Sequence, residues 1–435
     1  MFRIILLTLL CFVVSEANSN TVRVVHFSDP HLFEKPKNRA VEEPINQQTF
    51  RRSIEQANTL HAQQKINFVV LTGDIGIEQM FLFEFKDKTG ATMSIPQGSS
   101  DVTGSTIQAL LDRRLSVDAL KKSNPDFKQR WTQSVDTLAN LIKVSHISTW
   151  LLVPGNNDLW DELDSSIIIY AQFVREVGEK AHKLNPAIKV VDFRKTNKHD
   201  GTHFEQITGK DSNGRTVKKD LLFVGFDNAS FKNNGKLSRL YQSTKVQKEP
   251  KQVNISTDAQ ITKTQLEHVT ELQNTLQQKT YDFAYLFYHI PQIDDPWLVT
   301  KPGEKWAVDR KSKWDLLKEF KLNQNLDLNY QYSAWQVDPD VRQQWHKVLN
   351  NKKIKGLFAG HFHAESKDTY QQLADWSNKS IGSYPGLPLL NVVPPLAIKN
   401  GIVEARGFQL LAIDITGNVQ QTIHWYSDTG EAYRR

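Results

Sequence analysis

The sequence predicts an α/β protein in which helices cover sheets, and three observations predict it. Short apolar runs rich in Val, Ile and Phe recur along the chain, stretches of helical period alternate with them, and the chain closes on an alternating hairpin. The composition agrees: of 435 residues, 39% are hydrophobic, 10% aromatic and 23% charged, as in a folded chain with a sizeable core.

The apolar runs are residues 22–27, 66–71, 149–153, 221–226, 283–288 and 354–359. Each is short and rich in β-branched or aromatic residues, which suits a strand buried in a sheet. Helical patterns fall near residues 49–61, 131–144, 167–184, 264–277 and 340–349. At the end, residues 408–415 and 419–426 alternate in polarity around Thr416-Gly417-Asn418, a turn sequence, and predict a hairpin. Residues 79–130 and 291–338 lack a clear period and read as insertions in a single domain spanning residues 18–435.

Residues 1–17 read as a signal peptide. Arg3 supplies the positive charge and residues 4–14 form an apolar stretch too short to span a bilayer comfortably. Ser15 and Ala17 are the small residues before a cleavage point, and polar Asn18-Ser19-Asn20 comes next. The other readings of this stretch are an uncleaved anchor or a buried first strand. Cys11, the only cysteine, lies inside it, so the cleaved chain would have neither disulfides nor thiolate ligands. A large exported chain without disulfides is expected in a bacterial periplasm or secreted by a bacterium.

A mean hydropathy of −0.48 excludes a multi-span membrane protein. The net charge of +6 suits an anionic substrate or peripheral contact with a membrane face, although scattered Lys and Arg also simply solvate a surface. No dense basic run carries interleaved aromatics, so specific nucleic-acid binding is not expected.

The chemistry lies in the residues directly after the apolar runs. The first run leads into Ser28-Asp29-Pro30-His31, the second into Thr72-Gly73-Asp74, and the third into Pro154-Gly155-Asn156-Asn157-Asp158. The fifth ends at His289, and the sixth leads into Gly360-His361-Phe362-His363. Ligand sites of α/β folds sit at the carboxyl ends of strands. Asp, Asn and His are donors for Mn, Fe or Zn. In Asp29-x-His31 and His361-x-His363 the spacing lets both side chains of a pair point the same way. Gly73, Gly155 and Gly360 are expected to permit sharp turns beside such a site.

These ordered blocks, D-x-H, G-D, G-N-x-D, a lone His and G-H-x-H, resemble the calcineurin-like metallophosphoesterase superfamily over residues 29–363. With the leader they are similar to its acid sphingomyelinase-like and endopolyphosphatase-like branch. The resemblance implies a metallophosphoesterase-type β-sandwich flanked by helices, a four-layer αββα arrangement. It implies two divalent metal ions (Zn, Mn or Fe), one held by Asp29, His31, Asp74 and His363, the other by Asp74, Asn156, His289 and His361. It further implies hydrolysis of phosphate esters or anhydrides, as phosphodiesterase or phosphatase, by a metal-bridging hydroxide attacking phosphorus. The substrate would be a phosphorylated small molecule, polyphosphate or lipid.

The chain departs from the family pattern at Asn157. The family has His there, usually cast as the general acid, and endopolyphosphatase-like relatives also carry Asn. An amide cannot donate a proton and leave a stable base, which favours phosphoanhydrides or activated esters. His199 or His203 could reach in from another loop instead. The same substitution supports the alternative of a catalytically inactive metal-binding interaction protein. Outside the blocks, His26 reads as a core residue or one packed behind the ligands. Asp158 could orient a ligand or cap a helix, and Asp227-Asn228 reads as a turn.

Overall fold

The structure, a computed structural model, describes residues 20–34, 36–77, 84–86, 92–94, 117–123, 125–155, 157–158, 166–191, 200–228, 231–233, 236–238, 259–293, 335–336, 347–363, 367–368, 370–371, 374, 388, 390–398 and 405–426. The expected signal peptide, Asn156, His199, most of the helix expected at 340–349 and most of the 291–338 stretch lie outside the described residues.

The architecture is α/β, with two sheets flanked by helices. The first sheet contains β1 (Thr21–Phe27), β2 (Phe68–Thr72), β5 (Thr149–Val153), β6 (Lys189–Val191), β16 (Gly407–Asp414) and β17 (Val419–Trp425), in the order β17-β16-β1-β2-β5-β6. The second contains β7 (Asp200–Lys210), β8 (Thr216–Phe226), β11 (Phe283–Phe287), β14 (Ile354–Ala359) and β15 (Leu390–Val392), in the order β15-β14-β11-β8-β7. Strands β1, β2, β5 and β6 run parallel, as do β8, β11, β14 and β15; the β16–β17 hairpin and β7 add antiparallel edges. Short ribbons pair β3 (Glu84–Lys86) with β4 (Thr92–Ser94), β9 (Phe231–Asn233) with β10 (Lys236–Ser238), and β12 (Gln292–Ile293) with β13 (Trp335–Gln336).

The side-chain period of two decides which layer each residue enters. On β1, Phe27 points outward to Phe50 of α1 (Pro36–Gln63), with ring centroids 5.7 Å apart, whereas His26 points between the sheets to Phe287 at 5.4 Å. Phe68 meets Phe223 across the same interior at 4.6 Å. Helices α2 (Val117–Ser123), α3 (Pro125–Ile142) and α4 (Ser166–Leu184) come next in the chain, and Trp131 of α3 packs edge-on against Phe173 of α4 at 5.5 Å. Helix α5 (Ala259–Gln278) adds Val269, Leu272 and Leu276 to the buried core. No helix among the described residues is long and apolar enough to cross a membrane.

Three differences from the sequence reading have physical reasons. Helix α1 starts at Pro36, well before residue 49, and contains Pro44. Pro44 and Ala40 are both exposed, so water can satisfy the carbonyl that the missing N–H leaves behind. The strand expected at 221–226 is the second half of β8, but β7 and the first half of β8 were not expected, because they are dotted with Lys, Thr, Gln and Glu that face solvent. The turn signal of the β7–β8 hairpin is nonetheless present: Asp211 caps Asn213-Gly214, where Gly214 takes φ 74°. The stretch 79–130, aperiodic in sequence, contains the β3–β4 ribbon, α2 and the start of α3.

Candidate metal centre

Parallel strands deliver the chemistry to one edge. Asp29 and His31 follow β1, Asp74 follows β2, Asn157 and Asp158 follow β5, His289 follows β11, and His361 and His363 follow β14. The loops converge although Asp29 and His363, which meet there, lie 334 positions apart in the chain. Two buried groups result, Asp29, His31, Asp74 and His363, and Asp74, His289 and His361, with the donor atoms of each lying within 4.8 Å of one another. Asp74 belongs to both. Asn156, which the resemblance assigns to the second group, lies outside the described residues.

The distances suit cations. The Nε2 atoms of His31 and His363 face each other at 3.2 Å, and His289 Nε2 faces His361 Nδ1 at 3.1 Å. Opposed imidazole nitrogens this close, buried, need a proton or a cation between them. His363 Nε2 lies 3.2 Å from Asp29 Oδ1, and Asp74 lies 3.3 Å from His289 and 3.7 Å from His31. An all-nitrogen-and-oxygen set of this kind could hold Mn, Fe or Zn.

Among the described residues, left-handed backbone at non-glycine positions is confined to this centre. Asp29 (φ 52°), His31 (φ 39°), Asp74 (φ 53°) and His361 (φ 72°) are the only non-glycine residues with positive φ among those described. Each such conformation costs about 1–2 kcal/mol and persists because the surroundings impose it. Asp29 N donates to Gly73 O at 3.1 Å and His31 N to Asp74 O at 2.9 Å, locking the first two loops together. Asp29 Oδ2 accepts His361 N at 2.9 Å, tying in the last loop.

Glycines make these approaches possible, for two different reasons. Gly73 turns at φ 78°, as expected, and a Cβ there would stand 2.3 Å from Gly155 N. Gly360 is required for space and has no positive φ: its Cβ would fall 1.7 Å from Ser28 Oγ and 2.8 Å from Asp29 Oδ2. Gly155 likewise lies against Asp74, where a Cβ would stand 2.3 Å from the backbone nitrogen.

A shell of polar groups behind the ligands was mostly not legible in the sequence. The Thr72 carbonyl accepts His289 Nδ1–H at 2.7 Å and Ser28 Oγ–H at 2.8 Å. This bond fixes the His289 tautomer and leaves Nε2 as the donor atom facing the site. His26, buried as expected, bonds Thr72 Oγ1 at 2.8 Å, and burial pushes its pKa down to about 3. Asn228 clasps the His289 loop: its Nδ2 donates to Ile290 O at 2.7 Å and its Oδ1 accepts Ile290 N at 3.1 Å. Its position directly after β8, on the same edge, was the available signal. Asn46 of α1 donates to His31 O at 3.1 Å and Ile398 O at 3.2 Å. Asp158 accepts Gly76 N and Gly155 N, each at 2.9 Å, and so joins the loops after β2 and β5.

Asn157 turns onto Asp74. Its Nδ2 donates to Asp74 Oδ2 at 2.6 Å and its backbone N to Oδ1 at 2.8 Å, fixing both carboxylate oxygens. His203 does not reach the centre. It sits within β7 with its ring against Phe68 at 4.6 Å and its Nε2 on Glu205 at 2.8 Å.

The electrostatics arise from burial and the shared Asp74. Burial pushes Asp29 up, but His289 and His363 outweigh it and hold the carboxyl well below the usual range. Burial pushes His289 down, yet Asp74 and Asp29 raise it to about 9. Burial, then Asp74, raises Asp158 to about 7. Without a cation, His289 therefore keeps a proton up to about pH 9, and a cation must displace it. Metal affinity of the chelated chain is expected to fall about tenfold per pH unit below that value. Metal titrations between pH 6 and 8 check this, and an affinity independent of pH would contradict it.

No family model and no curated protein matches the chain. Among solved structures, it is similar to a calcineurin-like phosphoesterase from Bacillus subtilis, at 9% identity and a TM-score of 0.36, over 95% of this chain and 93% of that one. It is also similar to a dimetal phosphatase from Danio rerio, at 10% identity and a TM-score of 0.36, over 93% of this chain and 99% of that one. At such identities and scores the likeness carries no further weight, and the chemistry rests on the side chains described above.

Proposed function

We propose that the chain is a dinuclear metal-dependent hydrolase of phosphate esters or anhydrides. The single observation that carries this is the pair of buried donor groups sharing Asp74. Two divalent cations bound there would supply Lewis acidity and lower the pKa of a water. The chain's own contribution is orientation. Asp74 faces both groups, Thr72 O sets the His289 tautomer, and Asn157 holds the Asp74 carboxylate in place. Asp29, Asp74 and the four histidines are 9% exposed or less, which limits competing water.

Asn157 also sets the substrate class. Its amide cannot protonate a leaving group and remain a base, so the leaving group must depart at its own low pKa. Phosphoanhydrides and activated esters fit this, and alkyl esters do not. With Mn-loaded protein, the rate is expected to fall steeply across a series of esters of rising leaving-group pKa, and Asn157→His is expected to flatten that slope. A flat dependence in the unaltered chain would point to an acid elsewhere.

Asn157 equally favours a second reading, a metal-binding interaction protein without catalysis. Turnover of bis(p-nitrophenyl) phosphate by the Mn-loaded chain separates the two; two bound metals without turnover would establish the second. Export rests on the leader alone, and the N-terminal residue of the chain recovered from outside the cytoplasm tests it.

A further inference from the structure

The two ring nitrogens of His31 face opposite ways. Nε2 turns into the metal centre, 3.2 Å from His363 Nε2 and 3.7 Å from Asp74 Oδ2. Nδ1 turns away from it, towards Glu34, whose Oε1 lies 3.7 Å off. Both residues are buried, Glu34 at 6% exposure and His31 at 2%. His289 is arranged in the same way, with Nε2 towards Asp74 and Nδ1 on the Thr72 carbonyl. Behind His289 stands a neutral acceptor; behind His31 stands a carboxylate.

The segment from His31 to Glu34 is tied down at every residue. His31 N donates to Asp74 O at 2.9 Å, and Leu32 N and Phe33 N donate to Ile75 O at 2.9 and 3.3 Å. Glu34 N donates to Glu43 Oε1 at 2.8 Å. Glu43, on α1, is itself gripped by Arg130 of α3 and by Arg39, whose Nε lies 3.5 Å away. Asn46 and Gln47 of α1 hold the His31 and Leu32 carbonyls, each at 3.1 Å. The Glu34 carboxylate is thus delivered to Nδ1 by a fixed backbone. Burying it costs free energy that an imidazole N–H within reach can offset. The pair stands about 1 Å beyond hydrogen-bond length, a gap that rotation of the Glu34 side chain closes. Nδ1–H becomes the stronger donor once Nε2 holds a cation.

We propose that Glu34 is a positioning residue of the metal centre. It accepts a hydrogen bond from His31 Nδ1–H, fixes the ring with Nε2 towards Asp74 and His363, and strengthens that nitrogen as a donor to the cation of the first group. The proposal rests on the reading of the two buried donor groups as metal sites. It concerns the group of Asp29, His31, Asp74 and His363, and leaves the group of His289 and His361 untouched.

The test is calorimetric titration of the chelated full chain with Mn²⁺. The unaltered chain is expected to bind two ions. Glu34→Gln keeps the shape and loses the charge; it is expected to weaken one of the two binding steps about tenfold or more and to leave the other within about twofold. In a His31→Ala background the same substitution is expected to change Mn²⁺ affinity no further, because its effect passes through that ring. A merely structural role would weaken both steps alike and would persist without His31. Unchanged affinities in E34Q, or a full additional loss in the double variant H31A/E34Q, would overturn the proposal. The readout is metal binding, so two bound ions without turnover would sink the hydrolase reading and leave this one standing. No uptake of Mn²⁺ by the unaltered chain would overturn both.

Discussion

Asp74→Asn is expected to abolish turnover and to reduce the bound metal from two ions per chain to less than one. Both donor groups use this carboxylate, so one substitution strikes both. An amide keeps the shape and one acceptor but loses the charge that would neutralise two cations. The loss of transition-state stabilisation is on the order of 4 kcal/mol, about a thousandfold in rate. Removing a ligand of one group alone, as in His363→Ala, is expected to spare part of the metal. Elemental analysis alongside turnover reads both effects. A D74N chain that kept two ions and full activity would remove Asp74 from the centre.

Gly73→Ala is expected to cost the fold itself. The new methyl would meet Gly155 N at 2.3 Å and Gly155 Cα at 2.4 Å, both backbone atoms with nowhere to go. Overpacking contributes about 1–3 kcal/mol and the left-handed φ of 78° about 1–2 more. That is a large share of a typical domain stability of about 5–15 kcal/mol. Gly214→Ala is the matched control: its φ is 74°, but nothing lies within 4 Å of the added methyl, so only the conformational cost remains. Urea midpoints for the two variants should differ widely. Similar midpoints would mean that the Gly73–Gly155 contact is not tight in solution.

Much of this was legible from the order of the residues. The buried strands announced themselves because both of their faces are covered, which makes β2, β5 and β14 near-continuous apolar runs. The donor residues stood out because each block directly follows such a run. β7 was missed because an edge strand needs no such run: it mixes polar and apolar residues, and Phe204 is 43% exposed. Asn228, Ser28 and Asn46 look in sequence like ordinary turn or helix residues. Their roles depend on partners 62, 44 and up to 352 positions away, which no local pattern encodes. Gly360 looks like a turn residue, whereas its necessity comes from Ser28 on a distant loop.

The spacing of the donors along the chain has a consequence for when the centre comes into being. Asp29 and His31 emerge early in synthesis, and His361 and His363 emerge more than 300 residues later. β14 must dock beside β11 before either histidine pair can meet. Contacts this remote form late, after most of the chain has condensed. A chain that ends before His361 thus lacks a donor of each ion cage, and loading with metal becomes a report that synthesis and folding have both run to completion.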